Sequence, residues 1–106
     1  LTIYNKGGYI MLTGKQRSYL RSEANGLDPY VHIGKEGLNE SVYEKIDEVL
    51  DDHELVKIRV LDNSLEDIKE VTNKVCEMTG AEQVQIIGNV FVIYRKNNEE
   101  PIFQLP

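Results

Sequence analysis

Apolar residues in this chain recur first at the helical interval and then at the alternating interval of a strand, and the switches between the two periods mark seven elements. From Thr13 to about Asn25, Leu20 with Tyr19 or Ala24 provides an inward stripe. Thr13 and Gln16 stand at capping-box spacing there, and Gly26 supplies a stop. Asp28-Pro29 punctuates the chain, and Tyr30 to Ile33 reads as a short strand. Asn39 caps a second helix, in which Val42, Ile46, Val49 and Leu50 recur at i, i+4, i+7 and i+8. Leu55 to Leu61 alternates as a half-buried strand does, with Val56, Ile58 and Val60 on one face and Lys57 and Arg59 on the other. Ser64 with Asp67 opens a third helix with Leu65, Ile68, Val71, Val75 and Met78 as its buried stripe and Gly80 at its exit. Two last strands, about Gln83 to Ile87 and Val90 to Arg95, flank Gly88-Asn89, a two-residue hairpin signal with glycine first.

The element order is therefore α-β-α-β-α-β-β. Strands joined through helices run parallel by right-handed crossovers, and the last hairpin must be antiparallel. An α/β fold follows, a two-layer sandwich built on a four-stranded mixed sheet. Asn97 to Pro106 has no strong period, although Ile102-Phe103 offers an edge segment. At 106 residues, with no repeat, linker or low-complexity tract, the chain reads as one domain. Leu1 to Ile10 stands apart, because it lacks apolar periodicity and Met11 directly precedes a good helix start. Lys6-Gly7-Gly8 would also be encoded by purine-rich codons that resemble a ribosome-binding site. Residues 1–10 are thus expected to be a non-native or disordered leader to a domain spanning 11–106, the alternative being an arm anchored by Tyr4 and Tyr9.

Composition narrows the setting. No apolar stretch approaches the ~20 residues needed to cross a bilayer. The single cysteine, Cys76, excludes a disulfide framework and a Cys-rich zinc site, so a cytoplasmic location is expected. A net charge of −6 argues at face value against a polyanionic partner. Its distribution changes that picture, since residues 1–37 carry +2 and residues 38–106 carry −8. Screening confines charge effects to about 8–10 Å, so a local basic face can still attract a polyanion while the acidic remainder suppresses nonspecific contact.

The most informative short motif is Gly34-Lys35-Glu36-Gly37, between the first strand and the second helix. Paired glycines around a cation, just ahead of a helix N-terminus, let backbone approach a phosphate closely while free amides face it. The same residues also suit a tight strand-to-helix connection. Lys15, Arg17 and Arg21 on the first helix, Lys35 in the loop, Lys57 and Arg59 on the polar strand face, and Arg95-Lys96 complete the basic candidates. His32 faces away from Val31 and Ile33, within reach of a phosphate, and is otherwise a surface histidine. Neither it nor His53 has a nucleophile motif beside it. Asp47, Glu48, Asp51, Asp52 and Glu54 lie on one helical face, which suits a solvated surface better than a metal site with converging ligands. Cys76, next to Val75, reads as a small core-edge residue.

The order of several blocks resembles the YhbY proteins, stand-alone bacterial versions of the CRM domain (chloroplast RNA splicing and ribosome maturation). The blocks are Met11-Leu12-Thr13-Gly14-Lys15-Gln16-Arg17, Leu27 to Leu38, His53 to Val60, Thr79-Gly80-Ala81, Val84 to Gly88 and Val92 to Arg95. The resemblance implies a fold like the C-terminal domain of translation initiation factor 3. It also implies a non-catalytic RNA-binding protein, without cofactor or metal, that associates with precursors of the large ribosomal subunit. Gly34, Lys35, Glu36 and Gly37 take the place of the loop that is compared with the backbone clamp of KH domains. Lys15, Arg17, Arg21, Arg59 and Arg95 extend the expected RNA-contacting set. Glu36 departs from the small or neutral residue often found in that loop, and the acidic net charge departs from the basic plant relatives. A monomer with ribosomal RNA as partner, no membrane and no small-molecule substrate is expected. The alternative is a protein-interaction module recruited to ribosomes through a ribosomal protein by its acidic helix faces.

Overall fold

The computed structural model describes residues 12–61 and 67–106; the segment 1–10 expected to be a leader, and the cap and stripe positions expected at Ser64 and Leu65, lie outside the described residues. The elements are α1 (Gly14–Ala24), β1 (Val31–Ile33), α2 (Glu40–His53), β2 (Leu55–Val60), α3 (Ile68–Thr79), β3 (Glu82–Ile87) and β4 (Val90–Tyr94), in the expected order. They build a mixed four-stranded sheet in the order β1-β2-β4-β3. β1 runs parallel to β2, and β4 is antiparallel to both β2 and β3. In the β3–β4 hairpin only Gly88, at φ 58°, takes a positive φ, which is the signature of the turn with glycine first.

Alternation along the strands sorts side chains into two cores. Val31, Ile33, Val56, Ile58, Val60, Phe91 and Ile93 pack with Ile46, Val49 and Leu50 of α2 and Val71 and Val75 of α3. The intervening positions Leu55, Val92 and Tyr94, with Val84, pack against Leu20 and Ala24 of α1. Thus α2 and α3 form the main sandwich with the sheet, while α1 lies across one end of its other face. Full burial of Leu20 contributes roughly 1.5–3 kcal/mol, which ties a short helix to that face. The capping box forms, with the Gln16 amide donating to Thr13 Oγ1 at 3.1 Å and the Thr13 amide to Gln16 Oε1 at 3.0 Å.

Four local expectations need correction. Met78 is 64 % exposed, and Thr79 takes the inward position in its place. At 100° per residue Met78 falls on the flank of the Ile68–Val75 stripe, while the Thr79 hydroxyl is satisfied by donating to the Val75 carbonyl at 2.7 Å. Asp67 is itself the N-cap of α3, accepting from the Lys69 amide at 2.7 Å. Gly26 does not adopt a left-handed conformation, and α1 ends through ordinary turn bonds such as that from the Leu27 amide to the Ala24 carbonyl. Ile102-Phe103 forms no edge strand, because both amides donate to Glu54 Oε1 at 2.8 Å.

Glu54 belongs to the acidic run read as a solvated face, yet it is fully buried. Its carboxylate also accepts from the Asn97 amide at 2.6 Å, so it gathers the C-terminal tail. The tail then packs Phe103 and Leu105 against the α1 core, and Gln16 Nε2 donates to the Pro106 carbonyl at 3.2 Å.

Candidate nucleic-acid interface

The strand-to-helix connection is a closed turn standing at the end of the sheet. The Gly37 amide donates to the Gly34 carbonyl at 2.9 Å, so Lys35 and Glu36 occupy the tip, and both are exposed. Buried Ile33 anchors the entry and Leu38 packs on the core at the exit. The two glycines have different reasons to be there. Gly37 has φ 69°, a left-handed conformation that a Cβ would strain. Gly34 has no positive φ, and a Cβ there would meet only Leu61 Cδ1 at 3.7 Å, an ordinary contact. The fold therefore requires glycine at 37 and would accept alanine at 34. A small residue at 34 is what close approach of a ligand would need.

The two flanks of the turn differ in charge. On the helix side, Asn39 Oδ1 accepts from the Val42 amide at 3.0 Å, and Glu40 occupies the first turn of α2. That helix end already has an anionic complement, and with Glu36 it disfavours a phosphate. The sheet side presents His32 on β1, paired across the strands with Arg59 on β2. Both are exposed, and Arg59 pairs in turn with Val90 of β4.

The basic residues named from the sequence do not form one cluster. Lys15, Arg21, Lys35 and Arg59 are exposed and make no hydrogen bond or ion pair among the described residues. Arg17 is engaged, with Nε donating to the Gln83 carbonyl at 3.1 Å and Nη2 lying 4.0 Å from Glu82 Oε2. This fixes the start of α1 at the end of the sheet away from the turn. The length of β2, about 17 Å at ~3.4 Å per residue, separates the two ends. Lys57 Nζ donates to the Leu27 carbonyl at 2.8 Å.

Arg95 is not on the accessible surface expected for it. Its guanidinium donates to Asp47 Oδ1 and the Thr79 carbonyl, each at 2.7 Å, to Asp51 Oδ1 at 2.9 Å and to the Asp47 carbonyl at 3.2 Å. It clasps the end of β4 to α2 and α3. This also explains the carboxylates near the C-terminus of α2, where they would oppose the helix dipole without a cation beside them. His53 stacks on Tyr30 with ring centroids 4.3 Å apart. Among the described residues no group of three His, Cys, Asp or Glu side chains converges for a metal, and no helix is long and apolar enough to cross a membrane.

What sequence reasoning missed is the open part of the sheet face beside α1. The signal was present in the alternation that set His32, Lys57 and Arg59 opposite the core residues, and Ile87, 62 % exposed, adds an apolar position there.

Comparison with known proteins agrees with this architecture. The family model of the CRS1/YhbY (CRM) domain matches residues 12–95. The chain is 40% identical over 96 residues to the "Probable RNA-binding protein YqeI" of Bacillus subtilis, covering 91% of this chain and 100% of that protein. It is 39% identical to an RNA-binding protein of Haemophilus influenzae, covering 90% of this chain and 95% of the relative. The solution structure of a Staphylococcus aureus protein, described as a candidate RNA-binding protein, superposes with a TM-score of 0.77 at 47% identity, covering 91% of this chain and 100% of that one. With the helix and strand order, the turn and the matched span in agreement, the chain belongs to the CRS1/YhbY (CRM) domain family.

Proposed function

We propose that the protein binds RNA without catalysing a reaction on it, and that its target is ribosomal RNA of the large-subunit precursor, in the role of an assembly factor. The observation that carries the reading is the Gly34–Gly37 turn. Its tip is exposed, Lys35 there has no hydrogen bond or ion pair among the described residues, and a Cβ at Gly34 would make only an ordinary contact with Leu61. Sugar-phosphate backbone docks against Gly34 and Lys35 from the sheet side, because Glu36 and Glu40 repel it from the helix side. Arg59 adds a nearby contact, and Lys15 and Arg21 extend the path along α1. Arg95 takes no part, because both terminal nitrogens of its guanidinium are engaged with Asp47, Asp51 and the Thr79 carbonyl. The names of the relatives support the class of partner. The large-subunit target rests on the family resemblance and on nothing in the geometry.

With three phosphates neutralised, a single-strand slope near −0.7 per contact gives about a twentyfold loss of affinity for a fourfold rise in salt. Lys35→Ala reduces that slope by about 0.7. An unaltered slope rejects the phosphate contact at Lys35. Capture of the tagged protein with precursor particles, followed by complete RNA digestion, tests the target. Release supports direct RNA binding, and retention on the stripped proteins supports recruitment through a ribosomal protein.

A further inference from the structure

We infer that the open half of the sheet face beside α1 is a second RNA subsite, which holds the bases of a short unpaired segment whose backbone is gripped at the Gly34–Gly37 turn. This rests on the RNA-binding reading above and specifies which form of RNA is held.

Among the described residues nothing covers this part of the face, because α1 is short and packs over Leu55, Val84, Val92 and Tyr94. Beyond its end lies a shallow groove of about 320 Å³, lined in part by Leu27, Lys57, Arg59, Gln85, Ile87 and Val90. Among the described residues no carboxylate lines it, in a chain whose net charge is −6. Two of its walls are cations, and Lys57 is held in place by the Leu27 carbonyl. The exclusion of anions from this patch makes it complementary to a polyanion, and its apolar floor suits a partner that brings flat hydrophobic surface along with negative charge. Unpaired nucleotides combine the two.

The strand register gives the path. His32, Arg59, Val90 and Ile87 are successive cross-strand partners and form one row over the whole sheet. Three inter-strand steps of ~4.8 Å make that row about 14 Å long, room for roughly four nucleotides at a stacked spacing of ~3.4 Å. His32 begins the row two residues before Gly34, about 7 Å along the strand. A strand with phosphates at the turn therefore meets an imidazole and a guanidinium able to stack on bases, and then Val90 and Ile87. The groove volume lies at the lower end of the ~300–1,000 Å³ of small-molecule pockets, which suits individual bases splayed from the backbone and not a duplex.

The test uses the full chain with two fluorescent probes, a short unstructured oligoribonucleotide of mixed sequence and a blunt RNA duplex of the same sequence. Ile87 and Arg59 are exposed, so Ile87→Ser and Arg59→Ala are expected to melt like the parent. Ile87→Ser lowers single-strand affinity about fivefold or more with duplex affinity unchanged, Arg59→Ala lowers single-strand affinity at least as much, and Lys35→Ala weakens both probes. Photocrosslinking with 4-thiouridine then labels peptides of β2, β3 or β4. Single-strand affinity unchanged in Ile87→Ser and Arg59→Ala, with Lys35→Ala weakened, overturns the groove and leaves RNA binding at the Gly34–Gly37 turn intact. Absence of binding to either probe at low salt overturns both. If the groove variants bind RNA normally but no longer associate with RNA-stripped ribosomal particles, the occupant is a protein and the inference fails.

Discussion

Replacing the buried carboxylate of Glu54 by an amide isolates the contact that closes the fold over its C-terminal tail. Glu54 ends α2 at φ 62°, ψ −48°, an unusual conformation for a side chain other than glycine, costing about 1–3 kcal/mol. It is held there by three backbone amides, from Asn97 to Oε2 at 2.6 Å and from Ile102 and Phe103 to Oε1 at 2.8 Å. In Glu54→Gln the remaining oxygen can still accept two of them, but the new NH2 faces the third donor. Losing one charge-assisted bond and weakening two others removes roughly 2–4 kcal/mol. Against a domain stability of roughly 5–15 kcal/mol this is a large fraction. At ~4–8 °C per kcal/mol, the melting temperature falls by roughly 10–30 °C. Thermal melts followed by circular dichroism measure the loss, and native-state hydrogen exchange shows whether the amides of Asn97, Ile102 and Phe103 become unprotected together. A melting temperature within about 2 °C of the parent, or a loss that leaves those three amides protected, refutes the assignment of Glu54 as the tail latch.

Arg95→Ala destabilises the protein by roughly 1–3 kcal/mol in urea unfolding, the modest figure reflecting the water contact that Asp47 and Asp51 retain. Its RNA affinity, measured where the variant is folded, stays within about twofold of the parent, whereas a surface contact would change the salt slope. Stability also falls at alkaline pH. Burial pushes the Cys76 thiol from 9.0 up to about 12, with Glu82 adding to it, and burial with Glu54 nearby pushes the Tyr94 hydroxyl from 10.0 up to about 12. Both groups keep their protons longer in the folded state, so their contribution is complete below pH 9 and is lost as pH rises toward about 12. Cys76→Ala and Tyr94→Phe each flatten part of that decline in urea unfolding, and a curve of unchanged shape in both contradicts the burial argument.

Features set by neighbours in the chain could be read from the sequence. The Thr13–Gln16 capping box, the Asn39 cap and the glycine-first hairpin each depend on residues within a turn of one another, and each formed. The alternation of Val56, Ile58 and Val60 with Lys57 and Arg59 likewise separated the main core from the open face. Contacts between distant segments were hidden. Glu54 and the 97–103 tail lie more than 40 residues apart, as do Arg95 and the α2 carboxylates, so a local reading gave both charges to solvent or RNA. Met78 was misplaced because an apolar residue on a stripe's flank cannot be told from one at its centre by spacing alone. The turn itself was legible as Gly-x-x-Gly, but which glycine serves the fold and which leaves room for a ligand depended on backbone angles.

That difference gives the most direct measurement of the central claim. Alanine at Gly34 meets no steric obstacle and no left-handed strain, so Gly34→Ala is expected to melt at or slightly above the parent temperature, with a gain of about 0.4–1 kcal/mol from reduced unfolded-state freedom. If RNA backbone lies against that position, the added methyl holds it off, and affinity for precursor large-subunit RNA falls about tenfold or more. RNA affinity equal to the parent's in a fully folded Gly34→Ala protein contradicts the account.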